Sequence, residues 1–388
     1  MEIKEIIEQI FPYVIGIRRA LHSMPEPAYN EIKTSKYIIE RLEEIRLKPK
    51  IVYGTGVIAD LDTGKKGLNV AIRADMDALP INEKTGLEFS SENGGYMHAC
   101  GHDGHMAIVI GLALLLNKIK NKLSGKIRFI FQPAEEKPPK GGAVFLVEEG
   151  VLNDIDVIFG FHIIPDIEVG KLAIIEGPAM AGCDEFIIKV IGEGGHASAP
   201  EKTVDTVLVA SKIVCSLNNI VSRMISPFEP VVISCGEIKG GYAFNIIPDI
   251  VEIKGTVRTF NNELRKKIPE KMQNIATALA ESYGAKIDFS YINCYPALKN
   301  NPIVCDYLKE IAITYLGKSS IVNMKPLMGS EDFSVYLEKI KGAYVFIGGK
   351  KGEKHSLHSP YYDFDEISMR YALHFFAKAI LNINLLRI

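Results

Sequence analysis

Apolar segments of strand length alternate with helical segments through the first half of this chain, and this alternation limits its fold more than any other feature. Predicted strands cover residues 68–73, 126–131 and 157–161, and predicted helices cover residues 106–119 and 142–149. Strands joined through helices pair in parallel, since each helix returns the chain to the same end of the sheet. The alternation therefore predicts an α/β fold with a mostly parallel sheet that helices cover.

The pattern changes near Glu185. The predicted elements that follow run in the order strand, helix, strand, strand, helix, strand, over residues 185–191, 204–224, 231–238, 250–259, 263–283 and 286–291. This βαββαβ order is that of a ferredoxin-like domain. Helix and strand segments resume after Pro296. We therefore predict a discontinuous α/β domain formed by residues 1-184 and 296-388, interrupted by a ferredoxin-like insert at residues 185-295.

Composition and charge argue against several classes of function. The 388 residues include 45 basic and 47 acidic side chains, for a net charge of −2, so no basic surface for a nucleic acid is expected. The N-terminal segment is acidic, unlike a signal peptide, and the longest uninterrupted apolar run, residues 106–116, is too short to cross a bilayer. None of the six cysteines forms a CxxC pair, and we expect them to be reduced. These features predict a cytoplasmic protein that binds neither a membrane nor a nucleic acid.

A dense group of metal-binding side chains occupies residues 98–105, with the sequence HACGHDGH. Three of the nine histidines of the chain lie there together with Cys100. The segment precedes an apolar helix, and the amide groups and dipole at a helix N-terminus favour a thiolate. Gly101 separates Cys100 from His102 and allows both side chains to turn toward one point. Thiolate and imidazole suit zinc and other late divalent metals, whereas the alternative interpretation is a polar loop around a buried thiol.

Further polar residues follow predicted strands at four other places. They are Asp75 and Asp77, the pair Glu135 and Glu136, His162, and the pair His355 and His358. Each alone has an ordinary explanation, such as a solvated turn or a structural histidine. Adjacent carboxylates point in different directions, so one of a pair can bind a metal while the other transfers protons. Because ligands bind at the carboxyl ends of the strands in an open α/β sheet, these residues together predict a metal site.

At these residues the sequence resembles the metallopeptidase family of aminoacylases and bacterial glutamate carboxypeptidase, in its amidohydrolase branch. That branch contains indole-acetyl-amino acid hydrolases, hippurate hydrolases and N-acetyldiaminopimelate deacetylases. The matching segments follow the family's order over nearly the whole chain: RADMDALP (73–80), MHACGHDGH (97–105), QPAEE (132–136), FGFHIIP (159–165), GGHASAP (194–200), FNIIPD (244–249), GTVRTF (255–260), GSEDFS (329–334) and LHSP (357–360). The resemblance implies a zinc-peptidase-like catalytic domain, with the insert acting as a lid and dimerisation domain.

The resemblance also implies roles for individual residues. It implies two divalent metal ions per subunit (Zn²⁺, Mn²⁺, Co²⁺ or Ni²⁺), held by Cys100, His102, Glu136, His162 and His358. It implies that Glu135 is the general base and that His196 of the insert reaches into the partner subunit's site to polarise the scissile carbonyl. Asn245 and Arg258 resemble ligands for the free carboxylate of the substrate, and Asp77 resembles an acid that orients a ligating histidine.

These roles predict a metal-dependent hydrolase that cleaves the amide bond of N-acyl-L-amino acids, in a homodimer joined through the insert. A carboxypeptidase or dipeptidase acting on short peptides is an alternative, because it would use the same metal machinery and differ only in the pocket for the acyl side. A second alternative is a non-catalytic protein that binds metal or amino acids, although such a protein would not need Glu135. A redox-sensing thiol protein built on Cys100 would leave His162 and His358 unexplained.

Overall fold

The computed structural model describes residues 2–352 and 355–388 of the chain. The α-helices of these residues are α1 (Ile3–Ser23), α2 (Ile32–Glu44), α3 (His102–Lys118), α4 (Gly142–Glu148), α5 (Thr206–Asn219), α6 (Asn262–Ser282), α7 (Pro302–Leu316), α8 (Ser334–Leu337) and α9 (Ile367–Leu381). The strands are β1 (Lys50–Val52), β2 (Gly56–Asp62), β3 (Val70–Asp75), β4 (Lys126–Gln132), β5 (Val157–Ile164), β6 (Leu172–Ala173), β7 (Gly177–Met180), β8 (Gly182–Ile191), β9 (Gly195–His196), β10 (Val231–Gly240), β11 (Ile246–Ile247), β12 (Ile250–Thr259), β13 (Lys286–Asn293), β14 (Leu298–Asn300) and β15 (Lys341–Gly348).

Polar side chains fix where several of these helices begin. The carboxylate of Asp205 accepts the N–H of Leu208 at 2.9 Å and so caps the start of α5. The side chain of Asn261 accepts two N–H groups at the start of α6. Asn301 does the same for α7, where Pro302 takes the first helical position and needs no donor of its own. The order of strands and helices is therefore set locally, before any long-range packing.

The chain divides into two compact units. The first consists of Met1–Ala179, Lys299–Lys325 and Asp332–Ile388, and the second of Met180–Leu298 and Pro326–Glu331. The sequence prediction assigned residues 326–331 to the discontinuous domain, whereas in the structure they group with the second unit. The physical reason is a pair of backbone bonds, because the N–H of Ala181 lies 2.9 Å from the carbonyl of Leu327 and 3.0 Å from that of Gly329.

A seven-stranded sheet with the order β1-β2-β4-β3-β5-β15-β6 forms the centre of the first unit. The four middle strands, β4, β3, β5 and β15, are parallel, and antiparallel strands flank them on both sides. Every residue of β3 and β5 is buried, as expected for strands covered on both faces. The prediction of an α/β fold with a mostly parallel central sheet is confirmed.

The middle strands and α3 bring their functional residues to one edge of this sheet. Strand β3 ends at Asp75, β4 ends at Gln132 just before the two glutamates, and His162 lies near the end of β5. Helix α3 is apolar around most of its circumference and is almost entirely buried, which is typical of a central core helix. Its first residue, His102, is thereby fixed by the packing of the whole helix.

A four-stranded antiparallel sheet with the order β10-β12-β8-β13 forms the centre of the second unit. Along the chain, its strands and helices follow the order β8, α5, β10, β12, α6 and β13, which is the βαββαβ order. Apolar residues of both helices pack on one face of the sheet to form a separate core.

One helical stretch of the second unit meets the length and composition expected of a membrane span. Residues Thr206–Met224 meet that test, which buried helices of soluble proteins also meet. This stretch contains polar residues, so a search for uninterrupted apolar runs in the sequence does not find it. In the structure its apolar side chains Val209, Ile213, Leu217 and Ile220 belong to the core of the second unit.

Candidate metal centre

A sharp turn before α3 places Cys100 and His102 side by side. Gly101 adopts a left-handed conformation with φ 85°, which residues with a side chain rarely adopt. A Cβ atom at this position would lie only 2.9 Å from the hydroxyl of Tyr362. The turn therefore requires glycine, and both Cys100 and His102 are buried beside it.

Backbone carbonyls determine which ring nitrogens of two histidines are free to bind a metal. Nδ1 of His102 lies 2.9 Å from the carbonyl oxygen of Asp77, and Nδ1 of His162 lies 2.8 Å from that of Ile163. A carbonyl only accepts, so the proton of each neutral ring lies on Nδ1 and the lone pair lies on Nε2. Nε2 of His162 is 3.2 Å from Sγ of Cys100. This is the arrangement expected of metal-binding histidines.

The two glutamates are held by the carboxylate of Asp77. Its Oδ1 accepts the N–H of Glu135 at 3.0 Å, and its Oδ2 accepts the N–H of Glu136 at 2.9 Å. Asp77 therefore anchors the glutamates through its side chain and orients His102 through its carbonyl group. The sequence resemblance implied only the second of these functions.

Glu31 supports the same turn from the other side. Ala134 has φ 55°, a left-handed conformation that costs a non-glycine residue about 1 kcal/mol. Oε1 of Glu31 accepts the N–H of Ala134 at 2.9 Å, and Oε2 accepts the hydroxyl of Thr55 at 2.6 Å. Burial and the nearby carboxylate of Asp77 raise the pKa of Glu31 to about 7. The unfavourable backbone at Ala134 is therefore held by a buried side chain that is distant in sequence.

His358 completes the group from a separate loop. Its backbone also has a positive φ, 64°, and its N–H donates to the carbonyl of Ala99 at 2.9 Å. Nε2 of His358 lies 3.0 Å from Oε1 of Glu136. That oxygen is buried and receives no hydrogen bond from the residues that the structure describes. Either a proton on Nε2 or a cation shared by the two side chains accommodates two such atoms at this distance.

The donor atoms of the five predicted ligands converge. Within each of three overlapping groups, the donor atoms all lie within 4.8 Å of one another. The groups are Cys100, His102 and His162; Cys100, Glu136 and His358; and His102, Glu135 and Glu136. Thiolate, imidazole and carboxylate at this spacing fit divalent cations such as zinc. Because the three groups share members, the set fits two neighbouring cations as well as one.

The charges of the protein itself also favour a bound cation at this site. Burial, together with the carboxylates of Glu136 and Glu135, holds the pKa of the Cys100 thiol well above its usual range. Burial would lower the pKa of His102, but Asp75 and Asp77 outweigh it and raise that pKa to about 10. The clustered negative groups therefore attract positive charge, and a bound divalent cation would supply it and favour the thiolate.

The other two histidines of residues 98–105 are not ligands in this arrangement. Nδ1 of His105 lies 2.7 Å from Oδ1 of Asp75, and its Nε2 accepts the N–H of Ile163 at 3.0 Å. Both of its nitrogens are thus engaged. His98 is buried, neither of its ring nitrogens has a hydrogen-bond partner among the described residues, and burial lowers its pKa to about 4. The density of histidines that drew attention to the segment therefore overstates the number of ligands.

Sequence reasoning missed a buried polar network beneath the site. Arg73 donates to Gln132 at 2.9 Å, to Asp75 at 2.7 Å and to Asp332 at 2.8 Å. Arg73 follows three apolar residues inside β3, and Gln132 ends β4 after three apolar residues, so a polar residue at the end of an apolar run is the signal that could have identified them. Through Asp75 the network reaches His105, so that it steadies the strand ends that carry the site.

The remaining predicted residues lie in the second unit. His196 is exposed, and its Nδ1 accepts hydrogen bonds from the N–H of Ser198 at 3.1 Å and from the hydroxyl of Ser198 at 2.7 Å. Asn245 is exposed in the loop before β11. Arg258 is half-buried in β12, where Nη1 donates to Oγ1 of Thr256 at 2.7 Å and to Sγ of Cys183. The roles of these residues stay predictions.

A cluster of thiol, imidazole and carboxylate donors, with a further glutamate beside it at the edge of a parallel sheet, defines the class of metal-dependent hydrolases. Residues 71–382 match Peptidase family M20/M25/M40, and the chain belongs to this family. This confirms the family resemblance and the prediction of a hydrolase. The family and the donor set together support a site for two divalent cations.

Relatives and a solved structure agree with this assignment over nearly the whole chain. N-acetylcysteine deacetylase of Bacillus subtilis is 41% identical over 369 residues, which cover 94% of this chain and 95% of that protein. Thermostable carboxypeptidase 1 of Saccharolobus solfataricus is 40% identical over 371 residues, which cover 94% of each. The crystal structure of a dinuclear metal binding peptidase of the M20 family from Bacillus subtilis matches with a TM-score of 0.86 at 37% identity, covering 98% of this chain and 100% of that one.

Proposed function

We propose that the protein hydrolyses the amide bond of N-acyl-L-amino acids in the cytoplasm, with two divalent cations as cofactors. The observation that carries this proposal is the pair Glu135 and Glu136, both anchored by Asp77. Glu136 lies beside His358 as a ligand, and Glu135 lies within the same donor cluster as His102, where we assign it the proton transfer. A protein that only binds a metal has no use for this second carboxylate.

The proposed mechanism assigns a step to each residue. Two divalent cations held by Cys100, His102, Glu136, His162 and His358 would lower the pKa of a water molecule toward neutrality and polarise the amide carbonyl. Glu135 accepts the proton of that water as it attacks the amide carbon. Glu135 then donates the proton to the departing nitrogen, so that it leaves as a neutral amine and not as an unstable amide anion. His196 donates a hydrogen bond to the carbonyl oxygen as negative charge develops on it.

The choice of N-acyl-amino acids over peptides rests on the relatives. The deacetylase from Bacillus subtilis is named for an N-acyl amino acid, which supports the proposal. In the proposal, Arg258 and Asn245 bind the free carboxylate that both an N-acyl-amino acid and a peptide carry. The carboxypeptidase relative keeps a peptidase as the second candidate, since the metal centre would be the same.

The proposed oligomer is a homodimer in which His196 serves the site of the partner subunit. The loop around Asn245 supports an interface, because Phe244 is 100% exposed and Tyr242 is 82% exposed. Strand β10 is also an edge of its sheet, and edges of this kind can pair across a two-fold axis.

The test is a substrate panel on metal-depleted and metal-loaded protein. Exhaustive chelation should abolish hydrolysis of acetyl-methionine and hippurate, and zinc, manganese or cobalt should restore it. Dipeptides are assayed in parallel with the same metals. Full activity without bound metal would overturn the mechanism, whereas faster cleavage of dipeptides than of acyl-amino acids would favour the peptidase.

A further inference from the structure

Two cysteines of the second unit face each other across neighbouring strands. Cys183 lies in β8, and Cys294 directly follows β13. The pairing of β13 with β8 ends at the pair Asn293 and Asp184, so Cys294 and Cys183 are the next residues along the two strands. The N–H of Cys294 donates to the carbonyl of Cys183 at 3.2 Å, so the two residues stand directly opposite each other. Residues directly opposite in such strands have Cα atoms about 4.5–5.5 Å apart, within the range that a disulfide spans. The pair can therefore be cross-linked with little movement of the backbone.

A cation lies on the other side of Cys183. Arg258 of β12 is the residue paired with Cys183 across the sheet, and its Nη1 donates to Sγ of Cys183. The hydrogen bond from Cys294 and the charge of Arg258 lower the pKa of Cys183 to about 6, and the same contact raises the pKa of Cys294. One thiol of the pair is therefore the nucleophile and its neighbour keeps its proton.

The acid that follows Cys183 in the chain, Asp184, is already paired with a cation. The carboxylate of Asp184 is held by Arg265 at 2.8 Å and by the hydroxyl of Tyr291 at 2.9 Å. Its other oxygen accepts the N–H of Cys294 at 3.0 Å. Because these donors fix Asp184, its charge does not displace the contact between Arg258 and Cys183.

We propose that Cys183 and Cys294 form a reactive dithiol that a hydroperoxide oxidises to a disulfide, with Arg258 stabilising the attacking thiolate. The thiolate of Cys183 attacks one peroxide oxygen, and the O–O bond breaks. Cys183 becomes a sulfenic acid, and hydroxide or alkoxide leaves with the electron pair of the broken bond. Cys294 then attacks the sulfur of Cys183, the S–O bond breaks, and the departing hydroxide takes the proton of Cys294 to form water. Overall, two thiols and one hydroperoxide give one disulfide, one water and one water or alcohol.

The buried position of Cys183 suits this chemistry. Cys183 is almost fully buried, whereas Cys294 is half-buried. Burial beside Arg258 keeps water away from the thiolate and so strengthens its attraction to the guanidinium. Cys215, which is exposed on α5, provides the comparison thiol.

The experiment treats the metal-loaded enzyme with hydrogen peroxide near neutral pH and follows free thiols and peptide masses. The expected result is loss of two thiols, a disulfide between the peptides of Cys183 and Cys294, and full reversal by dithiothreitol. Cys215→Ser should behave as wild type. Cys294→Ser should stop at a sulfenic acid on Cys183 that dimedone traps. Arg258→Met should slow disulfide formation by about tenfold or more, because less of Cys183 is ionised.

Two results would overturn the proposal. One is oxidation of Cys215 while Cys183 and Cys294 remain reduced in the wild-type enzyme. The other is an unchanged rate in Arg258→Met, provided that circular dichroism and thermal unfolding show that this variant is folded. If Arg258→Met does not fold, trapping of the sulfenic acid in Cys294→Ser decides the question, since no adduct at Cys183 would refute the assigned nucleophile.

Discussion

The two units hold their functional side chains in opposite ways. In the first unit, His102 and His162 are fixed by carbonyl groups, and both glutamates are fixed by Asp77. In the second unit, the His196 ring contacts only the neighbouring Ser198 among the described residues, and it is exposed. The first arrangement is preorganised, with its geometry determined before a substrate binds.

This difference indicates where each kind of function is located. A metal centre needs short, fixed distances, and buried groups with several hydrogen bonds, such as His102 and His162, maintain them well. Groups that recognise a substrate or a second subunit gain their order on binding, and an exposed loop with apolar side chains suits that purpose. We therefore expect substitutions in the first unit to affect the chemical step and metal affinity. For a substitution at His196 of the second unit, a partner subunit with an intact second unit should restore enzymatic activity.

The largest effect is expected at Glu135. Glu135→Gln keeps the size of the side chain but cannot accept a proton, so kcat should fall by about 10²–10⁴-fold at unchanged metal content. Steady-state kinetics and metal analysis measure the two quantities. Glu168→Gln, at an exposed glutamate, is the control and should be neutral. Near-native turnover in Glu135→Gln would remove this residue from the mechanism.

The next effect tests whether the units of different subunits cooperate. His196→Ala and Glu135→Gln should each be inactive alone, yet mixing them under conditions of subunit exchange should restore activity. A mixed dimer has one site with both defects and one with neither, so activity should approach about a quarter of wild type. If exchange is demonstrated and activity stays absent, His196 acts within its own chain or has no catalytic role.

A smaller effect is expected at Asp77. Asp77→Asn replaces one acceptor oxygen by an amide group that cannot accept a backbone N–H, so the glutamate turn loses one of its two anchors. We expect metal affinity to fall by about 10–100-fold, with much of kcat recovered at saturating metal. Titration of the metal-free protein measures this, with Asp306→Asn, at a side chain that is 73% exposed, as the control. Equal affinities of the two variants would contradict the anchoring role.

The smallest effect concerns a buried histidine of the first unit that takes no part in the metal centre. Burial, with Lys378 and Lys4 nearby, lowers the pKa of His374 from 6.5 to about 4. Between these two pH values the unfolded chain binds a proton at His374 and the folded protein does not. The free energy of unfolding should therefore fall as the pH drops from 6.5 toward 4. His374→Leu should reduce this loss by about 1 kcal/mol per pH unit. Urea unfolding of both proteins across this range measures it, and parallel pH profiles would contradict the assignment.

The sequence predicted the strand ends and the main site residues because both are local signals. Cys100 and His102 share one turn, and Glu135 and Glu136 follow one strand. Short local sequence patterns were therefore enough to find them. The parallel sheet then brought His162 to the same edge, as its place at the end of an apolar run indicated.

The supporting residues were not predictable in this way. Glu31 and Ala134 are 103 positions apart, and their hydrogen bond depends on how a loop and a strand end meet in three dimensions. Strands β1 and β2 were also missed. β1 has only three residues, whereas the alternating burial of Val57, Ala59 and Leu61 along β2 is a period-two signal that could have found it. His98 shows the converse, because a residue type typical of metal sites is here only a buried ring.

The chain passes between the two units at four points, after residues 179, 298, 325 and 331. The N–H of Ala181 donates to the carbonyls of Leu327 and Gly329, and these two residues are synthesised much later than Ala181. During synthesis the second unit therefore cannot complete its structure when its main segment emerges. Its final hydrogen bonds form only after the short return segment Pro326–Glu331 has left the exit tunnel, so the insert finishes folding during the synthesis of the domain that encloses it in sequence.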